Sequence, residues 1–174
     1  MNFKECLKIG KYYENKSIFI LHNHGFKDVI LDNSYNSYYD ISALYKHKIV
    51  YIEVKYNSLT DKTHKIFLEC LKYDKYNNIN ISGLSITRAK YYIFFSNTKY
   101  YIIKTLRVKK ILEKTIRKQY KKLGLNKPSQ EDLIKYIEHK GIRTKNTIGI
   151  LINVEDVKKH SIYYGLIINK IFNN

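Results

Sequence analysis

The sequence predicts a mixed α/β domain, a central mixed sheet with helices on both sides. Three observations carry this. Residues 27–31, 38–45 and 49–56 are short runs rich in β-branched and aromatic residues, the mark of strands. Residues 91–95 and 100–104 repeat that pattern, and residues 106–123 switch to a helical period. The resulting order (helix, three strands, a mixed segment, two strands, helix) is neither strictly alternating nor segregated, and a mixed sheet accommodates it.

Each element has a local reason. Residues 3–21 place Leu7, Ile9, Tyr13, Ile18 and Leu21 at helical spacing, and His24-Gly25 ends that helix. Residues 32–37 are polar and turn-prone, and Lys46 to Lys48 form a short connection. Lys-His lacks the residues that favour positive φ, which a two-residue hairpin turn requires. Residues 66–71 fit a strand or the start of a helix, because short apolar runs have no decisive period. After a polar loop at 73–80, ISGLSITRAKYYIFF reads as a short helix or turn followed by a buried strand at 91–95. In 106–123 one side of a helix carries Val108, Ile111, Leu112, Thr115, Ile116, Tyr120 and Leu123, with Gly124 closing it. Ser129 is suited to cap a further helix that has Glu131 and Asp132 in its first turn. Residues 147–154 read as a strand and 154–160 as a short helix.

Composition narrows the functional classes. The chain has 174 residues, 44% of them apolar, which suits one hydrophobic core with a small appendage. No apolar run approaches the length of a membrane span, and MNFKECLKIGKYYENK lacks the layout of a signal peptide. Two cysteines exclude a disulfide framework or a four-cysteine zinc site. A soluble intracellular protein without a membrane partner is expected. Thirty-two basic against fifteen acidic residues give a net charge of +17, which favours a polyanionic partner, nucleic acid first. Part of that excess reflects the AT-rich codons of Lys, Asn, Ile and Tyr.

The chemistry sits in IVYIEVKY, residues 49–56. Alternation puts Glu53 and Lys55 on one side with Ile49 and Tyr51, and Val50, Ile52, Val54 and Tyr56 on the other. Both faces are largely apolar, as in a central strand covered on both sides. A charged pair in such a place is costly unless it is satisfied. Should the two strands form a hairpin, Asp40 lies opposite Glu53 or within one slip of register. Two adjacent carboxylates repel each other, and a divalent cation such as Mg²⁺ removes that repulsion. A neighbouring lysine suits phosphodiester hydrolysis, holding water or neutralising developing charge. An ordinary ion pair on a surface hairpin is the plainer reading of Glu-x-Lys by itself.

Taken together, Glu14 on the first helix, Asp40, and Glu53-Val54-Lys55 on successive strands resemble the PD-(D/E)XK nuclease superfamily. Its fold is the restriction-endonuclease-like one, and the likeness is to small phage- and virus-type members over roughly the first 105 residues. FLECL followed by SGLSITRAKYYIFF supports the same likeness. The resemblance implies Asp40 and Glu53 as metal ligands, joined by the Val54 carbonyl, with Lys55 as the catalytic lysine. Glu14 is implied as the helix glutamate that binds or supports the metal. Tyr39 stands where the family name has proline, and Lys90 where related chains often carry an acid.

On this reading residues 1–105 form a nuclease core and residues 106–174 a helical extension with a short strand, packed on the same domain. The expected activity is Mg²⁺-dependent cleavage of DNA, with Mn²⁺ as a substitute and branched DNA or a Holliday junction as a candidate substrate. A non-catalytic nucleic-acid-binding module and an RNA-directed nuclease are the alternatives, and a homodimer is left open. Ser85, Thr87, Arg88 and Lys90 precede a strand near the candidate site, where they either contact phosphate or form a turn. Arg107, Lys110, Lys114, Arg117 and Lys121 fall in one stripe of a helix, a backbone-tracking surface or a solvated face. Glu69 is a further acid or an ion-pair partner. The 18 tyrosines fit core packing better than base stacking.

Overall fold

The computed structural model describes residues 3–34, 38–122, 129–144 and 147–167. It is a mixed α/β structure with two sheets and five α-helices among the described residues. Helix α1 (Phe3–Asn23) leads into β1 (Lys27–Leu31), β2 (Ile41–Tyr45) and β3 (Lys48–Tyr56). These three strands form an antiparallel meander. Next to β3, and parallel to it, lies β6 (Tyr91–Phe95), followed by β7 (Lys99–Lys104) and, at the far edge, β10 (Ser161–Leu166).

A parallel neighbour needs a long crossover. Residues 57–90 supply it and bring a second layer with them: α2 (Thr60–Thr63), β4 (Lys65–Tyr73), β5 (Ile79–Ile81) and a 3₁₀ turn at Gly83–Ser85. The second sheet, ordered β5-β4-β9-β8, is completed by β8 (Ile142–Arg143) and β9 (Thr147–Asn153). Helices α3 (Thr105–Lys122), α4 (Gln130–Lys140) and α5 (Val154–His160) accompany it. Thus 66–71 belongs to a strand, and its edge partner β5 lies in what the sequence presents as loop. Ser129 caps α4 as expected, in a reciprocal box with Asp132. Leu123 and Gly124, expected at the end of α3, lie outside the described residues.

The central sheet is covered on both faces. On one, Tyr13, Ile20 and Leu21 of α1 pack with Ile41, Ala43, Val50, Ile52 and Ile93. On the other, Tyr92, Phe94, Tyr101 and Ile103 meet Ile66, Leu68, Val108, Ile111 and Ile152 from the second sheet and α3. Residues after 105 supply the expected strand, β9, and two that the sequence does not announce, β8 and β10. β10 escapes local reading because its partner β7 lies some sixty residues earlier, and pairing over that distance leaves no periodic signal.

Coverage of β3 is uneven, which corrects the expectation of two dry faces. Ile49 is 71% and Tyr51 37% exposed, whereas Glu53 on the same side is only 6% exposed. The second layer packs against β6 and β7, so it reaches the C-terminal half of β3 and leaves the first half wet. Glu53 therefore sits where a solvated face passes beneath the second layer.

The hairpin turn is a second correction. Lys46 (φ 50°) and His47 (φ 61°) both adopt the left-handed conformation that their residue types disfavour. The register holds because strand pairing outweighs turn preference: Tyr45 pairs Lys48 and Ile41 pairs Ile52. The double substitution Lys46→Asn with His47→Gly, which installs the favoured Asn-Gly turn, should stabilise the fold by about 1 kcal/mol. Urea denaturation would check this, with the midpoint rising at unchanged m-value.

Candidate active site

Asp40 lies one residue before β2, and the hairpin register continued by one step sets it opposite Glu53. Its backbone is held from both sides: its N–H donates to the Ile52 carbonyl at 3.0 Å, and its carbonyl accepts from Asp32 N–H at 2.8 Å. Its side chain then turns back on the neighbouring strand, Oδ2 accepting from the Val54 N–H at 2.6 Å. On β3, Glu53 Oε1 pairs with Lys55 Nζ at 2.8 Å. Both come from the one side of a pleated strand, so their meeting follows from an i, i+2 spacing. The side chain of Lys55 is half-exposed, while that of Glu53 is buried.

The electrostatics follow from these positions. Burial first and the Glu53 charge second raise the Asp40 carboxyl from the ordinary 3.8 to about 7, against the pull of Lys55 and the Val54 amide. Burial acts to discharge Lys55, but Glu53 and Asp40 more than offset it, and the ammonium is held charged beyond its usual range. Lys55 at neutral pH is therefore a fixed cation and donor, not a free base. Glu14 is raised by burial and by Glu53, and lowered by Lys11 and Lys55, which places it within electrostatic reach of the pair. Glu69 on β4 also acts on Lys55.

Glu69 is the residue that sequence reasoning undervalues. Its Oε1 accepts from the Ser82 hydroxyl. The loop after Ser82 crosses directly over β4 at Gly83, where φ is +50° and a Cβ would overlap the Glu69 carbonyl. Only glycine allows so close a crossing. The acid follows the Glu-x-Lys strand by one crossover, and no local pattern marks such an approach.

The SITRAK turn is tied to the site by its backbone. Thr87 Oγ1 donates to the Tyr38 carbonyl at 2.8 Å, accepts from Ala89 N–H at 3.1 Å and lies 3.4 Å from Glu53 Oε2. A hydroxyl has one proton, and the shorter bond takes it, which leaves Glu53 Oε2 weakly served. Next to both, the Tyr92 hydroxyl is buried without a well-aligned partner. Arg88 lays its guanidinium over the Tyr38 ring, 4.5 Å from the centroid, in an exposed position. Ser85 is exposed and reaches Cys70 O at 3.5 Å, on β4 rather than at the carboxylate pair. Lys90 is exposed and also lines a cavity on the α1 face beside Tyr45 and Tyr91. Arg107 and Lys110 are exposed on α3, and Arg117 of the same stripe is engaged by Glu113 at 2.6 Å.

The pair suits a small divalent cation: two hard-oxygen carboxylates, one kept protonated to higher pH by burial and by the charge of the other, and an under-served oxygen on that other. Among the described residues no three His, Cys, Asp or Glu side chains converge as a ligand set. Glu14, expected among the ligands, stands within the electrostatic field of Glu53 and Lys55. Further ligands would be the Val54 carbonyl, water or substrate oxygens. Among the described residues no helix is long and apolar enough to cross a membrane.

No family model matches the sequence, and no curated protein matches it significantly. Among solved structures, the chain is similar to the bacterial homing endonuclease I-Ssp6803I, at 12% identity and a TM-score of 0.44. That match covers 55% of this chain and 66% of the other, just under two thirds of its length. Likeness at this level concerns part of a backbone and leaves the chemistry to be argued from the residues themselves.

Proposed function

We propose that this chain is a Mg²⁺-dependent endonuclease that hydrolyses phosphodiester bonds in DNA, a divergent PD-(D/E)XK nuclease with Mn²⁺ as a substitute metal. One observation carries the reading: Asp40 and Glu53 face each other across a hairpin with Lys55 ion-paired beside them, and the Asp40 carboxyl is held near 7. Asp40 and Glu53 would hold the cation, with the Val54 carbonyl alongside. The metal would act as a Lewis acid on the scissile phosphate and lower the pKa of a bound water.

The other roles belong to the chain. Asp40 must lose its proton to bind, and the Val54 N–H keeps its carboxyl aimed. Lys55, ion-paired to Glu53 at 2.8 Å and half-exposed, would offer a charged donor to water or to a phosphate oxygen. Glu53 and Asp40, with a smaller contribution from Glu69, keep Lys55 charged, and Glu14 lies within the field of the same group. Thr87 would buttress the pair through its bond to the Tyr38 carbonyl, and Arg88, exposed on the rim, would meet the flanking phosphates.

The test incubates the protein with plasmid, linear duplex, four-way junction and RNA, each in Mg²⁺, Mn²⁺ and EDTA. Cleavage of DNA in either metal and none in EDTA is the expected result, and the junction arm reads structure selectivity. Binding without any cleavage would replace this reading with that of a non-catalytic binding module. Cleavage confined to RNA would move the substrate class.

A further inference from the structure

At the turn end of the β2–β3 hairpin, on the α1 face of the central sheet, four lysines surround a cavity of about 480 Å³. Lys46 and Lys48 come from the hairpin, Lys90 from the approach to β6 and Lys104 from the end of β7. Tyr45, Tyr91, Ile162 and Tyr163 complete the lining, and no carboxylate takes part. Among the described residues none of these lysines forms an ion pair. Ion pairs are few among the described residues (Glu53 with Lys55, Glu113 with Arg117, Glu131 with Lys135), so what sets these four lysines apart is their gathering on one concavity.

The floor of the cavity is braced. Tyr45 stacks on Phe26 with ring centres 4.0 Å apart, and its hydroxyl lies 3.1 Å from that of Tyr163. Tyr163 in turn stacks on His24 at 4.1 Å, and His24 Nε2 lies 2.9 Å from the Tyr100 hydroxyl. Four lysines, two from the hairpin and one each from the approach to β6 and the end of β7, line one braced concavity; like charges so gathered repel, and an anion lying among them removes that cost. A patch of this size and charge, open to solvent and lined by flexible donors, suits a chain of phosphates better than a single compact ligand.

We infer that this cavity binds the phosphate backbone of nucleic acid, at a segment distinct from the one that meets Asp40, Glu53 and Lys55. Lys48 and Glu53 are five residues apart on β3, about 17 Å, and on opposite faces of the sheet. That separation is about half a duplex turn of roughly 34 Å. The choice of nucleic acid as ligand rests on the proposed function, but cleavage is not needed for it.

The experiment measures binding of a labelled duplex in EDTA by fluorescence anisotropy, over roughly 50 to 200 mM salt. Lys46→Gln, Lys48→Gln and Lys104→Gln combined should lower the slope of log K against log salt by about 2 to 3 units. The same charge removed from the other layer, by Lys72→Gln, Lys75→Gln and Lys140→Gln, should lower it by less than about 1. Equal shifts in the two triples, or none in the first, would overturn the inference. On the wild-type protein, bound DNA should shield Lys46, Lys48, Lys90 and Lys104 from acetylation, and unchanged labelling of all four would overturn it independently of any folding defect. Because both readouts are taken in EDTA, a protein that never cuts DNA still passes or fails this test.

Discussion

Asp40→Asn is expected to abolish metal-dependent cleavage and, in the same protein, to raise the stability of the metal-free fold at pH 8. The two effects share one cause. The folded protein holds the Asp40 proton up to about pH 7, whereas an unfolded chain releases it near the ordinary 3.8. Between those values the native state binds the extra proton, so stability falls as pH rises through that window and has been lost in full above it. Asparagine removes the charge and keeps an oxygen to accept from Val54 N–H. The gain should be on the order of 2 kcal/mol at pH 8, with Tm higher by about 4 to 8 °C, and should shrink toward zero by pH 4. Cleavage should fall by at least about a thousand-fold, as when an essential electrostatic contact is lost. Thermal melts of both proteins at pH 4, 6 and 8, in EDTA, check the stability half. A variant that melts lower at every pH would show Asp40 to be a structural acceptor and nothing more.

That coupling of stability to function also explains what local sequence can and cannot disclose. Glu53 and Lys55 are legible because an i, i+2 charge pair in an otherwise apolar strand contradicts its surroundings. Asp40 is legible once a hairpin is assumed, and the register places it opposite Glu53 even though Lys46 and His47 make a poor turn. Pairing along five residues of each strand simply outweighs two unfavourable φ values. Glu69 is legible only as a residue, not as a neighbour, because its position depends on a crossover and on Gly83 lying against β4. β10 and the closure of the lysine-lined cavity are hidden for the same reason. Each is made by residues far apart in the chain, and no periodicity records which distant strands will meet. Lys90 shows the same in one residue: its backbone is bound to β3 through the Tyr51 carbonyl, and it lines the lysine cavity with residues from β2, β7 and β10 that no local pattern connects to it.

Lys55→Met should reduce cleavage by about a hundred- to ten-thousand-fold, the range for a positioned proton donor or acceptor. It should also shift the pH at which metal binds. Lys55 is one of the groups that pull the Asp40 carboxyl down. Without that charge Asp40 holds its proton to higher pH, so divalent metal must displace it at greater cost and the binding-versus-pH curve moves upward. Glu53, buried and stripped of its ion pair, adds a destabilisation of about 1 to 2 kcal/mol, modest because solvent reaches the half-exposed lysine end. The methyl-capped side chain keeps most of the lysine stem, so packing against the strand is preserved. Titration calorimetry with Mn²⁺ at pH 6, 7 and 8 would read both the affinity and the proton released. In the wild type, affinity should rise most steeply around pH 7, with close to one proton released per metal below it. Lys55→Arg should restore the metal-binding curve, since a cation again faces Asp40. It should leave cleavage impaired, because a planar guanidinium does not present its donors as an ammonium does. Should Lys55→Met bind metal with an unshifted pH curve, the lysine would not be acting on Asp40, and the carboxylate pair would have to be understood without it.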